Sequence, residues 1–132
     1  MTSSEKNSLI CLLDDDLAVL RANTRLLISA NWQVEAFSAP NRFLEYARRN
    51  QPPVAILDMM MPVMDGLAVQ AELREVSPNT RVIILTSNDD PEAETIAGEA
   101  GVFAFFYKPV DPEDFLASIA SAMEDFGAIR RE

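Results

Sequence analysis

Five short apolar runs punctuate the chain, and longer stretches of helical period separate them. Leu9-Ile10-Cys11-Leu12-Leu13, Val54-Ala55-Ile56-Leu57 and Val82-Ile83-Ile84-Leu85 are continuous rather than alternating, as expected of strands covered on both faces of a parallel sheet. Gln33 to Phe37 and Phe103 to Tyr107 supply two more strands. After the first run, Leu17, Leu20, Thr24, Leu27 and Ile28 fall on one helical face; near the end, Phe115, Leu116, Ile119, Ala120 and Met123 do the same.

Helix boundaries are written in the polar residues. Asp90-Pro91-Glu92 and Asp111-Pro112-Glu113-Asp114 each put an acid at the N-cap, proline at the first position and more acid in the first turn. The first of these opens a helix over residues 91–100, in which Ile96 is the one large apolar side chain. Pro40 to Asn50, closed by Pro52-Pro53, and Gly66 to Ser77, closed by Pro78, complete a set of five. No repeat or Gly/Ser linker interrupts the series. Five strands, each followed by a helix, are too few for an eight-fold barrel, so the pattern predicts an open doubly wound α/β sheet. The expected fold is a flavodoxin-like (βα)5 sandwich, with a parallel sheet in the order 2-1-3-4-5, as one domain over residues 1–132 with its core at about 8–126.

Charge narrows the function. Eleven Lys and Arg against 21 Asp and Glu give a net charge of −10, which repels nucleic acid and anionic membranes. Direct DNA binding and membrane association are therefore not expected. The chain has no histidine, so histidine-based triads and zinc sites are excluded. The lone cysteine, Cys11, reads as a small buried hydrophobe, and the run around it is too short for a signal peptide or a membrane span. A cytoplasmic protein is expected.

In an open α/β sheet, ligands bind beyond the carboxyl ends of the strands. Strand one ends there in Asp14-Asp15-Asp16, strand three in Asp58, strand four in Thr86-Ser87 and strand five in Lys108-Pro109. Singly, each has an ordinary explanation as a cap or a solvated charge. Together they matter, because strands one and three are neighbours and crowd Asp14, Asp15 and Asp58. Two like charges ~4 Å apart cost on the order of 4 kcal/mol at an effective dielectric of ~20. Lys108 cannot balance three carboxylates, and an all-oxygen cluster suits a hard divalent ion, Mg2+ first, with Mn2+ able to substitute. Carboxylate, metal, hydroxyl and lysine together are equipment for transferring a phosphoryl group onto an aspartate.

These blocks resemble the response regulator receiver domain of two-component signalling. The resemblance covers nearly the whole chain and rests on Leu13-Asp14-Asp15-Asp16, on Leu57-Asp58-Met59-Met60-Met61-Pro62-Val63-Met64-Asp65-Gly66, on Leu85-Thr86-Ser87 and on Tyr107-Lys108-Pro109. It implies that Asp58 is the phosphoacceptor, that Asp15, Asp58 and the Met60 carbonyl bind Mg2+ directly, and that Asp14 helps through a metal-bound water. Thr86 and Lys108 would each meet a phosphoryl oxygen, with a cis bond between Lys108 and Pro109. Phe105, three positions before the lysine, would turn inward and reshape the surface of helix four, strand five and helix five. Met60 and Asn88 would flank the approach of water and tune hydrolysis; neither is a strong base, so hydrolysis should be slow. Asp16 begins the first helix. Asp65-Gly66 reads as a turn in which glycine permits a positive φ, and Met59, Met60, Met61 and Met64 as packing rather than a soft-metal site.

The implied partners are a histidine kinase or histidine phosphotransfer protein and a downstream protein or output domain, and a homodimer formed on phosphorylation is compatible with them. The chain is expected to be a phosphoacceptor rather than an enzyme, either a lone receiver or a piece of a longer regulator or hybrid kinase. A receiver-like module that works without phosphorylation is the alternative. A haloacid dehalogenase-type phosphatase would need a second acid at position 60, which is methionine, and a flavin carrier would need a Gly- and hydroxyl-rich loop where Asp14-Asp15-Asp16 stands.

Overall fold

A computed structural model describes residues 8–87 and 91–131, with side chains described through residue 128. Five strands, β1 (Leu9–Leu13), β2 (Gln33–Phe37), β3 (Val54–Asp58), β4 (Arg81–Thr86) and β5 (Ala104–Tyr107), form one parallel sheet in the order β2-β1-β3-β4-β5. The helices are α1 (Leu17–Ser29), α2 (Pro40–Asn50), α3 (Gly66–Val76), α4 (Pro91–Glu99) and α5 (Pro112–Arg131). The expected doubly wound sandwich is therefore the observed one.

Both faces of the central strands are covered, which is why their sequences show no alternation. Cys11, Leu13, Ala55, Leu57, Val82 and Ile84 face Phe43 and Ala47 of α2, Val69 and Leu73 of α3, and Ala97 of α4. Ile10, Leu12, Val54, Ile56, Ile83 and Leu85 face Leu20 and Leu27 of α1 and Phe115, Ile119 and Ala122 of α5. Residues one apart on a strand thus belong to opposite layers. Cys11 is fully buried, and burial, followed by the nearby Glu35 carboxylate, pushes its thiol up to about 12.

The helical stripes are narrower than the sequence pattern implies. Leu17 and Ile28 lie at the margins of the α1 stripe and are exposed, leaving Leu20 and Leu27 as its buried anchors. On α5 the buried set is Phe115, Ile119, Ala122 and Phe126, whereas Ala120 is exposed. A step of three or four residues rotates away from an anchor by tens of degrees, so Ala120 turns out as Ala122 turns in. Strand β5 begins at Ala104, one residue later than the apolar run, and Phe103 is 37 % exposed.

Local chemistry sets the ends of the elements. Asp16 caps α1 by accepting from the Ala18 and Val19 amides, and Asp65 caps α3 by accepting from Ala68. Asp111 does the same for α5 through the Asp114 amide. The cap assigned to Asp90 lies outside the described residues. Helix α1 ends with Asn31 at φ 72, and the Trp32 amide returns to the Leu27 carbonyl, the six-residue closure that a left-handed residue permits.

Candidate phosphoryl-transfer site

The carboxyl ends of β1, β3, β4 and β5 meet at one edge. Parallel pairing in register sets Leu13 beside Leu57, Asp58 beside Leu85 and Thr86 beside Tyr107. The first residues past β1 and β5, Asp14 and Lys108, therefore reach the same space as Asp58. The Asp14 amide donates to the Phe37 carbonyl at 3.1 Å and the Lys108 amide to the Thr86 carbonyl at 2.7 Å, extending the ladder by one rung at each place. The Lys108–Pro109 bond is cis, as the resemblance implies.

Asp14 and Asp58 are buried, Asp15 is exposed, and the three offer carboxylate oxygens lying within 4.8 Å of one another. Lys108 Nζ donates to Asp58 at 3.1 Å and to Asp14 at 3.3 Å. The second Asp14 oxygen accepts from the Asp16 amide at 2.9 Å. Asp16 itself is committed to its cap and stays outside the cluster, as expected. One ammonium among three carboxylates leaves negative charge unbalanced, and the donors are all hard oxygens. That arrangement fits a divalent ion such as Mg2+.

Electrostatics inside the cluster are opposed. Burial pushes the Asp58 carboxyl up and the Asp14 charge adds to this, while the Lys108 ammonium and a hydrogen bond from the Met60 amide pull it down; the net direction is upward. For Lys108, burial alone would lower the ammonium, but hydrogen bonding and attraction from Asp58 and Asp14 outweigh it and hold the group above its ordinary value.

The remaining residues of the expected site distribute unevenly around this cluster. Thr86, at the end of β4, is buried beside it. Met60 is half exposed, with its amide on Asp58, so of the four methionines only Met59, Met61 and Met64 pack into the core beneath α2 and α3. Phe105 is half-buried on the α4 side of the sheet, and its ring meets that of Tyr107 edge-on at 5.4 Å. Asn88 lies outside the described residues.

Gly66 corrects the reading of the Asp65-Gly66 turn. It does not adopt a positive φ; a Cβ at this position would lie 2.8 Å from the Asp58 carbonyl oxygen and 3.0 Å from the Met59 Cα. Glycine is needed because α3 begins against the backbone of the site, where the Gly66 amide donates to the Met59 carbonyl at 3.0 Å. Tyr107 is a further residue that the motif contained without a role: its hydroxyl donates to Glu94 of α4 at 2.9 Å. The signal was there in a polar tip on an otherwise apolar strand.

The profile of the response regulator receiver domain family matches residues 10–120. This chain belongs to that family. Among curated relatives, the response regulator TodT of Pseudomonas putida is 37 % identical over 121 residues, covering 92 % of this chain and 53 % of TodT. The tetrathionate response regulatory protein TtrR of Salmonella typhimurium is 35 % identical over 114 residues, covering 86 % of this chain and 55 % of TtrR. This receiver thus spans about half the length of those relatives. A crystal structure of a response regulator receiver domain protein from Clostridium thermocellum superposes with a TM-score of 0.88 at 27 % identity, covering 92 % of this chain and 98 % of that one. Response regulators act with histidine kinases and output domains in two-component systems, and receivers generally use Mg2+. Among the described residues, no helix of this receiver is long and apolar enough to cross a membrane.

Proposed function

We propose that this receiver is a phosphorylation switch in which Asp58 takes a phosphoryl group from a phosphohistidine of a kinase or phosphotransfer protein. The observation that carries the reading is the convergence of Asp14, Asp15 and Asp58 within 4.8 Å, with Lys108 bridging two of them. An Asp58 oxygen forms the new bond to phosphorus, the phosphorus–nitrogen bond breaks, and its electron pair returns to the departing imidazole, which then takes up a proton. Asp15, Asp58 and the Met60 carbonyl would hold Mg2+ directly and Asp14 through a water. When bound, that ion supplies positive charge for the phosphoryl oxygens.

The protein's own groups do the rest. The Lys108 ammonium, already on Asp58, needs only a small shift to meet a phosphoryl oxygen. The Met60 amide fixes the carboxylate that attacks. Phosphorylation adds about −1.5 to −2 charges and three acceptor oxygens, and the Thr86 hydroxyl is the neighbouring donor drawn toward them. Phe105, on the strand beside Thr86, then follows into the space vacated and alters the α4–β5–α5 surface. That surface would act on a downstream protein, an output domain or a second copy of the chain. The protein is a phosphoacceptor rather than a turnover enzyme: Met60 brings no base to activate water, so the aspartyl phosphate should be lost slowly. The buried thiol of Cys11 and the kinase donor suit work in the cytoplasm.

Intact mass after incubation with acetyl phosphate and Mg2+ tests this reading against Asp58→Asn and an EDTA-treated sample. One base-labile phosphate that requires both Asp58 and metal is the expected result. No mass increase from acetyl phosphate or from a phosphorylated histidine phosphotransfer domain would overturn it in favour of a module that works without phosphorylation.

A further inference from the structure

Helix α4 is fastened by little apolar surface. Ala97 is its one fully buried residue, and Ile96, its large apolar side chain, is 45 % exposed. Such a helix is easily displaced. Its carboxyl end is nevertheless well organised. Gly101 takes φ +87, the Val102 amide donates to the Ala97 carbonyl at 3.2 Å, and the Gly101 amide donates to the Gly98 carbonyl at 3.1 Å. This closure satisfies two of the carbonyls that a helix end leaves over.

The Ala100 carbonyl is taken from outside. Gln70 Nε2 and Arg74 Nη1, one turn apart on α3, both donate to it at 3.2 Å. Gln70 is 3 % exposed, and its Oε1 is buried with no hydrogen-bond partner among the described residues. Turning the amide over would set that oxygen against the Ala100 oxygen, so the orientation is fixed by the carbonyl it serves. A leucine or methionine would fill the same space without burying an unpaired acceptor. Gln70 is therefore poorly explained as packing and well explained as a ligand of α4. The same helix begins at Gly66 against the Asp58 backbone, so α3 touches the acceptor site at its amino end and, through Gln70 and Arg74, the residue that follows α4.

We propose that Gln70 and Arg74 form a clasp on Ala100 that holds the carboxyl end of α4 to α3 as a pivot. The amino-terminal part of α4 then swings about Ala100–Gly101, restrained by the Tyr107–Glu94 hydrogen bond, and the strength of the clasp sets how readily it does so. The clasp stands on geometry alone; its consequence for signalling rests on the phosphorylation reading above.

Hydrogen exchange on the unphosphorylated full chain tests the clasp. Gln70→Met keeps side-chain length, removes one donor and removes the unpaired acceptor. It should speed exchange across residues 92–101 by about 2- to 10-fold, the range for losing one ordinary hydrogen bond, with exchange in β1, β3 and β4 unchanged. Arg74→Met, at an exposed position, should act in the same direction and serves if the first variant does not fold. Unchanged exchange over 92–101, or faster exchange throughout the sheet and α3, would overturn the proposal. A wild-type sample carrying the phosphoryl group separates the two ideas: if its α4 exchange matches that of the unphosphorylated protein, the signalling reading fails while the clasp result stands.

Discussion

Lys108 Nζ lies 3.1 Å from an Asp58 oxygen and 3.3 Å from an Asp14 oxygen, so one ammonium ties together carboxylates at the ends of two neighbouring strands. Both acids are buried and the lysine side chain is 23 % exposed, which places the pair below the level at which solvent screening erases such contacts. Removing the cation strands two buried negative charges. Lys108→Met should therefore lower the stability of the metal-free protein at pH 7 by about 1–3 kcal/mol, read by urea denaturation. An unchanged midpoint would mean that the acids are relieved in some other way.

Asp58 predicts the opposite sign. Its carboxyl is pushed up by burial, against the pull of Lys108 and with the further push of Asp14. Its folded value thus exceeds its unfolded one, so between the two the folded state holds more protons. The associated stability is complete below the ordinary carboxylate value and is lost as pH rises through the raised one. Asp58→Asn should stabilise the metal-free protein at pH 7, by on the order of 1 kcal/mol, and this gain should shrink toward zero as the pH is lowered below the carboxylate range. Thermal melts of both proteins across that range in EDTA measure it.

Much of this was legible in the chain. Continuous apolar runs gave the strands because central parallel strands are covered on both sides, and in-register pairing then carried Asp14, Asp58, Thr86 and Lys108 to one edge. What escaped was set by atoms distant in sequence. Gly66 is required by the Asp58 carbonyl oxygen, a clash visible only once α3 is laid against β3. The exposure of Leu17 and Ile28 depends on where the α1 stripe is cut by its neighbours. Gln70 carries no signal in the sequence, because the Ala100 carbonyl that its buried amide meets lies 30 residues later in the chain.

Metal should stabilise the wild type by mass action. Mg2+ at about 100 times its dissociation constant adds about 2.7 kcal/mol if it binds the folded state alone. Asp15 is exposed and joins the cluster without a bond to Lys108. Asp15→Asn should therefore leave the metal-free melting temperature nearly unchanged and remove most of the rise on adding Mg2+. A wild type whose melting temperature does not respond to Mg2+ or Mn2+ would remove these carboxylates as a metal site.

Two glycines carry opposite predictions for the same substitution. A Cβ at Gly66 would meet the Asp58 carbonyl oxygen at 2.8 Å, a backbone atom that cannot step aside without moving the acceptor. Gly66→Ala should cost about 1–3 kcal/mol, as overpacking does, and should also slow phosphoryl acceptance, because the Asp58–Met59 backbone is what gives way. At Gly98, near the end of α4, a Cβ would meet nothing within 4 Å. Gly98→Ala should stabilise by about 0.5–1 kcal/mol, since alanine removes backbone freedom from the unfolded chain. Denaturation midpoints of the two variants, with acetyl phosphate labelling of each, measure both effects. Equal and small changes at the two positions would mean that α3 does not sit against the acceptor strand as closely as described.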